Sequence, residues 1–481
     1  MKKLIILIGF LSMLSLTGCN INGDLQGEGN ESSPYLIKTA GDLIKFSSYI
    51  NEGNEKYMNA HIKLTSDINM GNAKMRPIGG LDFHYFNGVF DGDNHSINNF
   101  KPHDNYKMQA LFGENGKDCI IKNLTINVNV NTKTSSAQAG GIVSHNSYGA
   151  LIENCHVRGS INCSTLHKTP ISTDARFIDK YAKEKKVYDQ DNKLTGEVTL
   201  TYYLKNKAGG IAGCNYGTIK NCTASTSISA DIAGGIAGTN AGDIIGCESL
   251  DSNLYSTSST GGIVGFSNFI SHLDDKCHIV NCSSKNHILS GDNYIGGLVG
   301  TVSGKISVNH SQNYGVIIDN NPEQTVIGDI IGRVVYQIGQ HKSNTSIDIP
   351  YVLMNLSLNV NNFNDCLSLN SYQLDTVEEQ KTTLYYPIGR SNSFSKLVTS
   401  NLIAQGDIKK KTESTINIGY DKKYSSLYLK DSVEIEELEG RQNLSDLNKN
   451  IIQEAFNADI NNIEQIQVDD VTGYVFKTMN F

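Results

Sequence analysis

The chain has 481 residues, with 45 Gly, 7 Pro, no Trp and a net charge of −8. That charge leaves no electrostatic footprint for nucleic acid, so no nucleic-acid partner is expected. The length exceeds what one compact core usually holds, and the bias toward Gly, Asn, Thr and Ile suits many short strands joined by tight turns.

Met1-Lys2-Lys3 precedes an apolar run from Leu4 to Leu16, followed by Thr17-Gly18-Cys19. Two lysines before a short apolar run read as a signal peptide over residues 1–18. The run is shorter than the roughly 20 residues of a permanent membrane span. Small residues before the cysteine resemble the lipobox of bacterial lipoproteins. That resemblance implies a diacylglyceryl group on the Cys19 sulfur and a further acyl chain, such as palmitate, on its freed amine. Two or more chains anchor stably where one is marginal. The implied partner is a membrane. An outer-membrane lipoprotein at the cell surface is expected, with a periplasm-facing one as the alternative. Residues 19–33, rich in Gly, Asn and Glu, are expected to form a flexible tether.

Residues 34–138 are expected to hold an N-terminal cap and the first coils of a solenoid. Thr39 and Asp42 have capping-box spacing, and Leu43, Phe46 and Ile50 then share a helix face. That helix is expected to cover the open end of the first coil. Further on, Leu124, Ile126, Val128 and Val130 alternate with Thr125, Asn127 and Asn129, the pattern of a strand with one face inward.

Residues 139–340 repeat. Ala139-Gly140-Gly141-Ile142-Val143 leads to Ile152-Glu153-Asn154-Cys155, and Ala208-Gly209-Gly210-Ile211-Ala212-Gly213 to Ile219-Lys220-Asn221-Cys222. Ala233-Gly234-Gly235-Ile236 leads to Cys247, Thr260-Gly261-Gly262-Ile263 to Asn281-Cys282, and Ile295-Gly296-Gly297-Leu298 to Asn309. A period of about 25 to 35 residues is that of solenoid coils. With two or three short strands per coil and no helix between coils, the expected fold is all-β: a right-handed parallel β-helix of roughly 12 coils at about 4.8 Å each. The glycines are expected to supply positive φ and close coil-to-coil approach. Asn123, Asn154, Asn221, Asn281 and Asn309 are expected at equivalent turns, with their amides stacked in a ladder. Cys155, Cys222, Cys247 and Cys282 take the place of Leu124, so they read as core thiols. An exported location also permits bridges among them.

Residues 164–207 break the repeat. This insertion carries Tyr181, Lys185, Lys186, Tyr188, Tyr202 and Tyr203, candidate binding residues for a glycan or an acidic partner, because insertions in solenoids map to one face. The bland alternative is a solvated excursion without function. Residues 341–440 lose the Gly-Gly signature and read as degenerate coils or a side domain. Residues 441–481 read as a closing helix and a last strand.

The Gly-Gly-Ile-(Val/Ala)-Gly copies resemble the GLUG motif of bacterial surface proteins. The opening segments Tyr35-Leu36-Ile37-Lys38-Thr39-Ala40-Gly41-Asp42-Leu43, Pro77-Ile78-Gly79 and Phe86-Asn87-Gly88-Val89-Phe90-Asp91-Gly92 strengthen the resemblance. It covers roughly residues 34 to 335, with Met75-Arg76 standing where a Trp is common. It implies a β-helix, an extracellular location and adhesion or binding. Such repeats also occur N-terminal to IgA-cleaving metallopeptidases.

The chemistry such a peptidase needs is missing from this sequence, which has no His-Glu-x-x-His, Gly-x-Ser-x-Gly or P-loop. Asp91-Gly92-Asp93-Asn94 offers oxygen ligands suited to Ca²⁺, but Asp, Gly and Asn are also the common turn formers, and a turn is expected. No catalytic residue, metal or cofactor is expected. The reading is a lipid-anchored binding or adhesion module for a glycan or a host or cell-surface protein. The alternatives are a polysaccharide-acting β-helix enzyme (lyase or glycosidase) and a passive stalk.

Overall fold

The computed structural model describes residues 24–134, 136–163, 205–268, 277–292, 294–303, 306–319, 326–328 and 330–335, with the backbone of further strands as far as Phe476. Short strands stack parallel and in register. His61–Leu64, Val89–Asp91, Ile120–Lys122, Leu151–Glu153, Thr218–Lys220, Asp243–Ile245, Cys277–Val280 and Ile306–Asn309 follow one another directly. Tyr35–Ile37 precedes them, and Val360–Leu374 and Lys396–Ala404 follow, giving a column of eleven strands. At the usual strand spacing it extends about 48 Å. A second sheet of eight parallel strands closes the coils from the other side. The fold is the all-β parallel β-helix expected from the repeat.

Alternation explains the core. Phe90, Ile121, Ile152, Ile219, Ile244, Ile279 and Val308 lie in one register column and are all fully buried. Each contributes on the order of 1.5–3 kcal/mol by leaving water. The next column is Leu124, Cys155, Cys222, Cys247 and Cys282, aligned by the pairing of the residues that follow them. Ser311 continues it, accepting from the Cys282 N–H at 3.2 Å and donating to the Asn309 carbonyl at 2.9 Å. The eight described cysteines are buried thiols outside any disulfide. Burial pushes the thiols of Cys163, Cys277 and Cys282 up to about 12. Burial raises its neighbours Cys155 and Cys247 as well; Cys222 sits between them, and as a thiolate it would accept from both, which holds it below them.

The repeated glycines correct one expectation. None of the five repeated pairs, from Gly140-Gly141 to Gly296-Gly297, has positive φ; what they supply is space. A Cβ on Gly209, Gly234, Gly261 or Gly296 would overlap the carbonyl oxygen of the residue three further on, across the bend between the two sheets. The third glycine of each copy faces the preceding coil. A Cβ on Gly238 would lie 2.7 Å from the Gly213 carbonyl oxygen, and one on Gly265 2.8 Å from that of Gly238. Positive φ is used at the turn before the cysteine column instead: Asn123 (54°), Asn154 (52°), Asn221 (51°), Gly246 (62°) and Asn281 (54°). Asn tolerates this conformation better than most residues. In the next coil the turn residue is His310 (49°), not Asn309, which pairs with Val280. The side chains at these turns stack only in part: Asn154 Nδ2 donates to Asn123 Oδ1 at 3.4 Å, and Asn123 Nδ2 to Asp91 Oδ1 at 3.1 Å.

The continuous amide ladder is elsewhere. Asn146, Asn215 and Asn240 are buried at the ends of successive strands of the eight-stranded sheet, and Asn115 is buried directly after the strand Phe112–Glu114. Asn115 Nδ2 donates to Asn146 Oδ1 at 2.8 Å, Asn146 Nδ2 to Asn215 Oδ1 at 2.7 Å, and Asn215 Nδ2 to Asn240 Oδ1 at 2.7 Å. Asn240 Nδ2 then meets Cys277 Sγ at 2.8 Å, and that thiol donates to the Gly242 carbonyl at 3.1 Å. Every amide points the same way along the axis, so each is both donor and acceptor. The interior is also polar where Ser249 and Ser284 face Gly235 and Gly262. There Ser249 donates to Asn286 Oδ1 at 2.7 Å, and Asn286 Nδ2 to the Gly262 carbonyl at 3.2 Å.

The cap forms as its sequence requires. Helix α1 (Ala40–Asn51) starts at a complete Thr39–Asp42 capping box and buries Leu43, Phe46 and Ile50. Residues 24–33 are expected to be flexible. They pack on the cap: Leu25 is buried, Leu36 N–H donates to the Gln26 carbonyl at 2.7 Å, and His61 N–H to the Gly29 carbonyl at 2.8 Å. Beyond 341, Val360–Leu374 pairs in parallel with Gln312–Asp319, and Ile388–Ser391 extends the eight-stranded sheet. Ile463–Val468 and Val471–Phe476 form an antiparallel pair where one closing strand is expected.

Replacing Asn215 by Leu removes the middle rung and leaves the Asn146 amide N–H and the Asn240 carbonyl buried without their partners. Each such orphan costs about 1–3 kcal/mol. Urea unfolding should therefore show a stability loss of about 2–5 kcal/mol, and a loss within about 0.5 kcal/mol would rule out the ladder as a structural element.

Candidate functional site

The insertion 164–207 leaves and re-enters the solenoid at adjacent points. Asn206 Nδ2 donates to the Cys163 carbonyl, while Asn206 Oδ1 accepts from Ala137 N–H at 2.7 Å. Asn206 N–H also reaches Asp231 Oδ2 at 2.8 Å. Strand Lys207–Gly209 then pairs with Gln138–Ala139, so the coil is closed on both sides of the excursion. Tyr181, Lys185, Lys186, Tyr188, Tyr202 and Tyr203 lie outside the described residues, as does Cys19.

Beside the first rungs of the amide ladder the structure assembles a cluster that the sequence pattern does not single out. Glu114 and His145 occupy paired positions on strands Phe112–Glu114 and Val143–Asn146. Each directly precedes a ladder asparagine, so the buried amides fix the backbone that carries them. The His145 ring stacks on Tyr216, with centroids 4.7 Å apart and planes at 19°. Its Nε2 lies 4.0 Å from Glu114 Oε1. Ser147 N–H donates to Asn115 Oδ1 at 2.8 Å, and the next residue, Tyr148, is 61% exposed. The cluster could have been sought from the repeated x-Asn positions Glu114-Asn115, His145-Asn146 and Cys214-Asn215. Nothing in residue type alone marks them.

Electrostatics make this a desolvated carboxylate beside a neutral imidazole. Burial, with Lys207 nearby, pushes His145 down to about 4. Burial raises Glu114 above the usual carboxylate range, against the Ser147 hydrogen bond that lowers it. Tyr85 is raised by burial and by the Glu114 charge. At neutral pH His145 is uncharged, so its contact with Glu114 is not an ion pair. Such a surface offers aromatic faces, an acceptor-rich carboxylate and an imidazole, a combination suited to hydroxyl-rich or amide-bearing ligands.

Outward carboxylates on the long column are engaged differently. Lys63, Asp91, Lys122, Glu153 and Lys220 are successive cross-strand partners of alternating sign. Lys63 reaches Asp93 at 3.0 Å, Lys122 reaches Asp91 at 3.5 Å, and Lys220 reaches Glu153 at 2.8 Å. Opposite charges in such positions support register. Residues 91–94 form the expected turn, with positive φ at Asp93 and Asn94. Both aspartates there are taken by lysines.

The buried neutral histidine makes stability depend on pH. His145 takes up a proton near 6.5 when unfolded but only near 4 when folded. Its contribution is therefore present above pH 6.5 and is lost as pH falls toward 4. By linkage, His145→Gln should flatten the decline of unfolding free energy between pH 7 and 5 by up to about 2 kcal/mol. Urea titrations of both proteins at the two pH values check this; parallel declines would contradict it.

A family model described as the GLUG motif matches residues 135–162 and 207–229, on either side of the insertion. A protein of Evansella cellulosilytica, provisionally described as a Gly-rich membrane protein, is 31% identical over 134 residues. The match covers 27% of this chain and 15% of that protein's length. A crystal structure from Bacteroides ovatus, provisionally assigned as an immunoglobulin A1 protease, aligns with a TM-score of 0.41 and 18% identity, over 78% of this chain and 86% of that one. The chain therefore carries the GLUG motif, in two copies that bracket its insertion.

Proposed function

We propose that this chain is a lipid-anchored, extracytoplasmic β-helix that binds a glycan or a cell-surface protein, and that it is not an enzyme. Cys19 carries the lipid in this reading, and the membrane is its first partner. The description of the Evansella cellulosilytica relative as a membrane protein agrees with that placement. The outer membrane, facing outward, is the location we favour.

The observation that carries the binding reading is the insertion, pinned at Cys163 and Asn206, with His145 on the coil before it and its stacking partner Tyr216 on the coil after it. An insertion of about 40 residues whose two ends are pinned to a stiff scaffold suits recognition. A polysaccharide-cleaving enzyme would pair carboxylates across neighbouring coils. On the long outward column, Asp91 and Glu153 are paired with lysines instead.

A glycan array tests this with the acylated wild type, a variant whose residues 164–205 are replaced by a short Gly-Ser linker, and Tyr148→Ala. Loss of one aromatic contact should weaken binding about 3- to 10-fold. Deletion of the insertion should abolish it, with the β-sheet circular dichroism unchanged. Equal binding by all three proteins would remove the insertion from the function. Release of oligosaccharides by the wild type would favour the enzyme reading, and no interaction in any assay the stalk.

A further inference from the structure

Phe83 is 83% exposed, a large apolar side chain held out into solvent. The loop that carries it is clamped. Gly80 N–H donates to the His84 carbonyl at 2.7 Å, and His84 N–H to the Leu81 carbonyl at 3.0 Å. Gly79 N–H donates to Asn51 Oδ1 at 3.1 Å, and His84 Nδ1 meets the Asn51 carbonyl at 2.9 Å. Asp82 and Phe83 both take left-handed backbone, φ 52° and 63°, which non-glycine residues keep only where surrounding contacts impose it. The ring is thus displayed by a rigid support, and little conformational freedom is lost when it is buried by a partner.

The chain enters the fold at the same place. Asp24 pairs with Lys56 at 2.8 Å and accepts from the Tyr57 hydroxyl at 3.2 Å. A Cβ on Gly53, three residues before Lys56, would lie 2.7 Å from His84 Nε2. The Phe83 loop and the start of the described chain therefore meet one short segment at the end of α1. Cys19 is five residues before Asp24, and five residues reach at most about 17 Å. A lipid on Cys19 would hold this end of the solenoid against the headgroups.

We propose that the capped end of the solenoid rests on the bilayer and that Phe83 inserts into its interface, a second contact beside the lipid. The proposal rests on Cys19 being the lipidated residue. Glu52, Glu55 and Asp82 are exposed near the same segment, so the surface that suits this end is zwitterionic rather than anionic.

The chain has no Trp, so Phe83→Trp creates a single emission reporter on an exposed ring position. The full acylated protein is reconstituted in phosphatidylcholine vesicles with and without doxyl-labelled lipid. The expected result is a blue-shifted emission that loses most of its intensity to the doxyl groups, while Tyr148→Trp, on the flank, keeps its intensity. An unquenched Phe83→Trp in protein that still floats with the vesicles overturns the proposal and leaves the anchor standing. Equal quenching of both reporters overturns it too, because the rod would then lie on its side. The mass of the N-terminal peptide and flotation of Cys19→Ala report the anchor separately; a wild type without acyl chains that does not float overturns both.

Discussion

The structure depends on how closely two backbones approach at the bend between the sheets. At Gly209, Gly234, Gly261 and Gly296 a carbonyl oxygen occupies the volume where a Cβ would stand. The third glycine of each copy lets consecutive coils come together at the same corner, as Gly238 does over Gly213. Three glycines per repeat are thus one steric device, and the small residues opposite them, Ala224, Ser249 and Ser284, belong to it. A solenoid draws much of its stability from contact between neighbouring coils, so the register columns of the repeat depend on these bends.

Two columns show what that alignment makes possible. The thiol column is interchangeable with Leu124 at one end and Ser311 at the other, which marks a small, tightly limited volume rather than redox chemistry. The amide ladder from Asn115 to Asn240 needs identical residues at identical heights, because each side chain must donate upward and accept from below. Its cost if broken makes it a register lock. Glu114 and His145 sit one residue before its rungs, and their placement side by side follows from the ladder. Packing of the core and geometry of the candidate site are in that sense one problem.

Much of this was legible in the residues. The Gly-Gly copies, the alternation through Val130, the Thr39–Asp42 cap and the cysteine register all translate directly into coils, strands, a helix start and a core column. The failures have physical causes. Asn recurs in two settings, and residue type does not separate a left-handed turn at Asn154 from a buried rung at Asn146. Asn309 was aligned by identity, but the turn had moved one residue, to His310. Residues 24–33 are polar enough to look unfolded, yet they pack on the cap through Leu25 and backbone pairs that leave no composition signal. His145 and Glu114 became visible only when stacking brought residues 31 apart onto neighbouring strands.

The central claim is that steric room at the bend, and not backbone φ, is what the repeated glycines provide. The direct measurement compares Gly234→Ala with Gly71→Ala by urea unfolding. Gly71 has φ 57° and open space around its Cβ position, so its substitution should cost only the left-handed strain of about 1–2 kcal/mol. Gly234 has ordinary φ but no room, and its substitution should cost about 3 kcal/mol or more, or abolish cooperative unfolding. A Gly234→Ala protein as stable as Gly71→Ala would contradict the account.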